Sequence, residues 1–429
     1  MNIQLALFFI TIFVTIALGF KLYTCLIGAS LIYILLTPQL SMLVAMERML
    51  NAANSFTLLA VPFFIFAGQI MNGGGVTDRI FGFARKMVGH RRGGLGYVNI
   101  VASMIFAGIS GSALADVGGL GQVEIKAMRE EGFDDDFIAG LTGASATVGP
   151  IIPPSIPFVV YGALANVSVG ALFLAGMVPG IAISLILCIY VFVLAKRRNY
   201  PADPKSSWKE RAISFKESFW ALMFPVIILG GIWGGFFTPT EGAFVSIVYG
   251  TVVALFVYRD LKVREIPKMV HETVKAIAPA IAIVVGATLF GWVLNFERID
   301  QLLLDFIFGI TTNRILILLF VNIVLFALGM FVDVTAAIVI TLPILGPLTY
   351  YVGVHPVHFG VILTLNLMIG LLTPPVGFSL YMLSSVMDVP FNKMVRAIWP
   401  WLIPLIVSLL LITYIPEIVM FLPRLMGFI

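Results

Sequence analysis

Gly149-Pro150-Ile151-Ile152-Pro153-Pro154 and Gly370-Leu371-Leu372-Thr373-Pro374-Pro375 interrupt two apolar stretches in the same way, at an offset of 221 residues (149 to 370). Proline has no N–H and its ring clashes with the carbonyl four residues back. Each stretch therefore predicts a helix broken at its middle, with Pro153 and Pro374 stranding the carbonyls of Gly149 and Gly370. The same offset, applied without a gap, lays Gly108 on Gly329 and Ser112 on Asp333. The chain reads as two copies of one unit, residues 1–216 and 217–429. Duplicated breaks at membrane depth point to a secondary transporter.

Composition sets the solvent. With 60% hydrophobic and 11% charged residues and a mean hydropathy of +1.05, the 429-residue chain is an all-α integral membrane protein rather than a water-soluble globule. Apolar runs of membrane-spanning length recur throughout, among them Leu5 to Phe20, Leu22 to Leu36, Leu172 to Ala195, Phe219 to Phe237 and Trp399 to Ile415. The longest polar stretch, Lys196 to Ser218, is only loop-sized. Cys25 and Cys188 lie in apolar spans and read as packing residues. His90, His271, His355 and His358 sit at segment ends without ligand spacing and read as loop residues rather than metal ligands. Trp233, Trp292, Trp399 and Trp401 stand near span ends, as interfacial anchors do. Phosphate-cradling, zinc-protease and nucleophile-elbow motifs are missing, and no nucleophile–base pair stands at the breaks, so the sequence does not read as an enzyme.

Each copy reads as two spans, an amphipathic stretch, a third span, a Gly-rich hairpin, a broken span and a last span. Leu40 to Asn54 carries Glu47, Asn51 and Asn54 at helical spacing, which suits a helix lying flat at the interface. Its counterpart opens at Pro267 and carries Lys268, Glu272 and Lys275. Between Gly94 and Gly132 the apolar sequence is interrupted at Gly108 to Ser112, which leaves arms too short to cross separately. Arg314 to Tyr351 repeats this with a turn near Gly329 to Thr335. Two re-entrant hairpins leave five crossings per copy, and an odd number inverts the second copy. With that topology 22 of the 26 Lys and Arg fall on one side, leaving Arg48, Arg298, Arg314 and Arg424 on the other. The basic side is cytoplasmic by the positive-inside rule, so both termini face outward. The net charge of +4 reflects this bias and gives no reason to expect nucleic acid.

The chemistry concentrates at the tips and breaks. Freed carbonyls at membrane depth need a hydroxyl, water or cation, and Ser145, Thr147, Asn366 and Thr373 lie near them, so sodium ions suit these oxygens. Asp116 and Asp333 stand beside the tips, where a carboxylate either caps a helix or contacts substrate. Ser110 and Ser112 can donate to an anionic substrate, and Arg298 can pair with its carboxylate near the outer mouth.

The stretches 106–116 (Phe-Ala-Gly-Ile-Ser-Gly-Ser-Ala-Leu-Ala-Asp), 149–155 (Gly-Pro-Ile-Ile-Pro-Pro-Ser) and 365–377 (Leu-Asn-Leu-Met-Ile-Gly-Leu-Leu-Thr-Pro-Pro-Val-Gly) resemble the large membrane subunit of tripartite ATP-independent periplasmic (TRAP) transporters over nearly the full length. Within that family the sequence looks most like sialic acid systems, with C4-dicarboxylate systems close behind. The resemblance implies an elevator-type, sodium-coupled importer in a bacterial inner membrane, with scaffold and transport regions. It implies two kinds of partner, a periplasmic substrate-binding protein and a small four-helix membrane subunit, the latter expected as a separate polypeptide. It also implies two or more sodium sites among Gly108, Ser110, Ser145, Thr147, Gly149, Gly329, Asn366, Gly370 and Thr373. The substrate, a small organic acid, is expected around Ser110, Ser112, Asp116, Asp333 and Thr335. A stand-alone sodium-coupled dicarboxylate carrier shares these features, and an ion channel would share the hydropathy and the hairpins.

Overall fold

The computed structural model describes residues 3–429, and every regular element in it is helical. The first copy runs α1 (Ile3–Ala17), α2 (Leu22–Leu36), α3 (Met42–Ala53), α4 (Ala60–Gly73), α5 (Val76–Val88), α6 (Gly94–Ser110), α7 (Ala113–Gly118), α8 (Leu120–Glu130), α9 (Asp135–Ala146), α10 (Ile156–Ala165) and α11 (Val169–Arg198). The second runs α12 (Trp208–Trp233), α13 (Pro239–Val252), α14 (Ile266–Phe296), α15 (Ile299–Ile310), α16 (Arg314–Gly329), α17 (Val334–Tyr351), α18 (Pro356–Gly370), α19 (Phe378–Met387), α20 (Phe391–Tyr414) and α21 (Pro416–Leu425). Residue 216 falls inside α12, which starts at a Ser207–Glu210 capping box.

Six contacts between the copies form three reciprocal pairs, while α12 also packs on α5 with no counterpart between α1 and α15 among the described residues. α2 packs on α14 and α13 on α4; α9 packs on α20 and α18 on α11; α7 packs on α19 and α17 on α10. Each pair exchanges equivalent elements, as two copies related by a two-fold axis must.

Both hairpins return to the side they came from. Arg85, before α6, binds Glu131, after α8, and the same guanidinium donates to Asp203 at 2.8 Å. In the second copy Phe308 of α15 lies 5.9 Å from Tyr351 at the end of α17. The arms differ in length: α6 and α16 have 17 and 16 residues, whereas the 18 residues of α17 are long and apolar enough to cross by length and composition alone, so the return contact marks the second hairpin as re-entrant.

Four sequence expectations change. The amphipathic stretch of the first copy is a separate helix, α3, bent by 46° from the helical segment Thr57–Gly73, but its counterpart merges into the 31-residue α14 with Pro279 inside. α5 and α15 are two short helices before the hairpins that the sequence does not set apart from the spans, because their polar residues stand at the ends of apolar runs. His358 is buried in α18 with Nε2 2.8 Å from the Ile412 carbonyl, so it bridges two helices and is no loop residue. Trp401 is 2% exposed and stacks edge-on with Tyr190 and Phe137, its indole filling the space left by Gly140 of α9. Proximity to a span end did not reveal that a glycine on another helix makes room for the ring.

Candidate functional site

α6 ends because Gly111 takes the left-handed conformation, φ +59°, which closes the helix. Ser112 then starts α7, its hydroxyl accepting from the Ala115 N–H at 3.4 Å. Asp333, the 221 partner of Ser112, starts α17 in the same way, its Oδ1 accepting from Thr335 N–H at 2.9 Å. Both tips therefore present a helix N-terminus with its side-chain cap.

Each tip is tied to the break of its own copy by an equivalent bond. Ile156 N–H donates to Gly111 O at 3.4 Å, and Gly377 N–H to Met330 O at 3.2 Å. Ile156 and Gly377 obey the 221 offset, but Gly111 and Met330 are 219 apart. The tip of the second hairpin is two residues longer, since α6 and α7 are separated by Gly111 and Ser112 while α16 and α17 are separated by Met330 to Asp333. The gapless alignment of Gly108 with Gly329 is corrected accordingly. Gly108 lies against Pro225, where a Cβ would stand 2.8 Å from the ring, whereas Gly329 lies against Gly370, whose Cβ would stand 2.6 Å from the Gly329 Cα.

The breaks differ in what they leave free. The Gly370 carbonyl accepts from Thr373 N–H at 2.8 Å, so it is not stranded: residues 371–373 turn instead of continuing the helix. Among the described residues no donor reaches the Gly149 carbonyl. Ser155 donates to Pro150 O at 2.5 Å and caps α10 through Phe158 N–H. Both breaks contain a cis prolyl bond, Pro153–Pro154 and Pro374–Pro375. Behind them Ser145 accepts from Ser103 at 3.3 Å, and Asn366 donates to Asn322 Oδ1 at 2.7 Å, with Asn366 Oδ1 buried and unpaired. Thr147 and Thr373 turn their hydroxyls onto the carbonyls of Ala144 and Ile369.

Tips and breaks of both copies meet at a small cavity of about 70 Å³ lined by Gly111, Ser112, Pro150, Asp333, Thr335 and Leu371, among others. Next to it a cavity of about 660 Å³ is lined on one side by Ser110, Ser112, Asp333 and Thr335, and on the other by Gln69 and Asn72 of α4 and Pro279 and Ile283 of α14. That volume suits a small organic molecule. Asp333 is exposed in the cavity wall, while the Ser110 hydroxyl is buried beside it with no partner among the described residues.

Two sequence candidates lie elsewhere. Asp116 lines neither cavity; it is 2% exposed inside the first hairpin, beside Ser103. Arg298 is exposed at the α14–α15 junction and lines neither cavity. Three buried polar residues were missed. Asn99 Nδ2 donates to Glu124 Oε2 at 2.5 Å and lies 3.2 Å from Thr142 Oγ1. Asn99 and Ser103, four apart on α6, were the available signal.

The family model "Tripartite ATP-independent periplasmic transporter, DctM component" matches residues 9–418. The chain belongs to this family. A sialic acid TRAP transporter large permease, SiaM of Vibrio cholerae, is 45% identical over 96% of both chains. A C4-dicarboxylate TRAP large permease, DctM of Pseudomonas aeruginosa, is 42% identical over 89% of both. The crystal structure of the Alcanivorax borkumensis YdaH transporter shares the fold of this TRAP permease at a TM-score of 0.68, covering 88% of this chain and 89% of that one at 12% identity. The permease is thus a multi-pass membrane transporter subunit and not an enzyme.

Proposed function

We propose that this TRAP large permease imports a small organic acid, sialic acid in the first instance and a C4-dicarboxylate in the second, by sodium-coupled elevator movement of the hairpin and break helices against α4 and α14. The observation that carries this is the cavity of about 660 Å³, walled by both hairpin tips on one side and by helices outside the hairpin–break unit on the other. The boundary through the cavity is where one unit can slide past the other. Similarity to SiaM supports the first substrate and similarity to DctM the second.

Sodium fits the oxygens available at the breaks. The unpaired Gly149 carbonyl with Ser145 and Thr147, and the unpaired Asn366 Oδ1 with Thr373 near the Gly329–Gly370 contact, would hold the ions. Bound ions would supply positive charge beside an anionic substrate and the Asp333 carboxylate. Ser145→Ala and Asn366→Ala are therefore expected to raise, by at least about three-fold, the sodium concentration giving half-maximal uptake, about 0.7 kcal/mol of lost binding per site. An unchanged sodium dependence in both variants would leave these residues as packing alone.

The permease is proposed to face the periplasm with both termini, to pair with a small four-helix membrane subunit, and to receive substrate from a periplasmic binding protein. The resemblance to TRAP systems supports the partners. In liposomes holding permease and small subunit, an inward sodium gradient with free substrate alone is expected to drive no uptake, and adding the cognate binding protein outside to start it. Robust uptake of free substrate would favour a stand-alone carrier instead.

A further inference from the structure

Asn99, Glu124 and Thr142 form a polar cluster on α6, α8 and α9 that is almost wholly enclosed, at 0%, 1% and 2% exposure. The second copy shows that the fold does not need it. On the 219 offset of α6, Asn99 corresponds to Leu318; on the 221 offset of the later helices, Glu124 corresponds to Leu345 and Thr142 to Leu363. All three leucines are buried, at 2%, 3% and 0% exposure. The same three-helix junction is thus built once from hydrocarbon and once around a carboxylate, and burying an uncompensated carboxylate is unfavourable.

The hydrogen bonding is incomplete in a specific way. Asn99 Nδ2 donates to Glu124 Oε2, while Glu124 Oε1 and Asn99 Oδ1 are both buried without a partner. Both orphans are acceptors when Glu124 is ionised, and they belong to the two groups already joined by one bond. One proton on Oε1 would turn that oxygen into a donor, and the unpaired acceptor Oδ1 belongs to the same amide that already donates to Oε2.

Among the described residues no cation takes the proton's place. On α8 itself Lys126 and Glu130 are exposed, and Asp116 of α7, which also bears on Glu124, is a second buried carboxylate. α6 faces Glu124 with Asn99, whose Nδ2 is shared with Thr142 of α9. On α5, Arg79, Arg85 and Lys86 pair with Asp260, Asp203 and Glu210, and Asp78 lines a cavity beside Arg79. At the start of α9, Asp135 and Asp136 pair with Arg129 and Arg198. α19, also packed on α8, has no charged residue along its length.

We propose that Glu124 and Asn99 form a proton-binding site inside the first hairpin, and that transport requires the proton to be bound. The second half rests on the hairpin belonging to the moving unit; the first half does not. Infrared difference spectra of the full chain in lipid, wild type against Glu124→Gln near neutral pH, should show the carbonyl stretch of a protonated carboxyl that the variant lacks. Its absence from wild type overturns the site, whether or not the transport reading holds. Uptake at saturating sodium with equal pH on both sides should fall as pH rises from about 6 to about 9, approaching about ten-fold per unit on a one-proton limb. Glu124→Gln, neutral and able to pair with Asn99 through both its amide atoms, should transport without that limb. Parallel profiles in both proteins, or a folded but inactive Glu124→Gln, overturn the proposal. Should that variant fail to fold, Asn99→Asp gives two carboxyls sharing one proton and should move the limb to higher pH; an unmoved limb is the overturning result.

Discussion

Replacing Gly370 with alanine is expected to destabilise the folded permease by about 1–3 kcal/mol, the usual cost of overpacking, and to abolish uptake. The new Cβ would stand 2.6 Å from the Gly329 Cα and 3.1 Å from the Met330 N, and its three nearest heavy atoms all belong to the backbone, which cannot swing aside as a side chain can. The contact joins the second break to the second tip, so relief by displacement would carry Asp333 with it. Gly309→Ala is the control: α15 is open there, with nothing within 4 Å of an added Cβ. Thermal unfolding of the purified chain should separate the two variants, and equal midpoints would show that the close approach is not constraining.

Asp333→Asn is expected to lower uptake at least about ten-fold, about 1.4 kcal/mol at the limiting step, with normal folding. Asparagine caps a helix as well as aspartate does, so the bond to Thr335 N–H survives while the charge facing the cavity is lost. Reconstituted uptake reads the effect, and an unaltered rate would reduce Asp333 to a structural cap. Ser112→Ala, at the equivalent position of the first copy, removes the cap and the hydroxyl together and cannot make that distinction.

Much of the architecture was legible because its causes are local. Proline withholds a donor wherever it stands, so Pro153 and Pro374 marked both breaks before any neighbour was known. The glycines and short polar residues at 108–112 and 329–335 marked the tips, and the basic asymmetry required the hairpins to return, as the Arg85–Glu131 pair does. Ser112 and Asp333 shared a role because equal spacing from an equal break gives equal places on a helix.

What the sequence could not decide depended on neighbours distant along the chain. The 221 repeat determined that two units exist, but the two extra residues in the second tip shifted α16 against α6, and only the bonds from Ile156 to Gly111 and from Gly377 to Met330 revealed it. Both prolines predicted a stranded carbonyl; the turn at 371–373 supplied a donor to Gly370 and none formed for Gly149. Asp116 and Asp333 looked alike in sequence, yet one is enclosed by its own hairpin and the other faces a cavity built by both copies. Residue type and spacing set where the backbone must bend, since those rules act within a few residues. Which polar atoms stay unsatisfied, and which face a cavity, was settled only when helices from the two copies packed together.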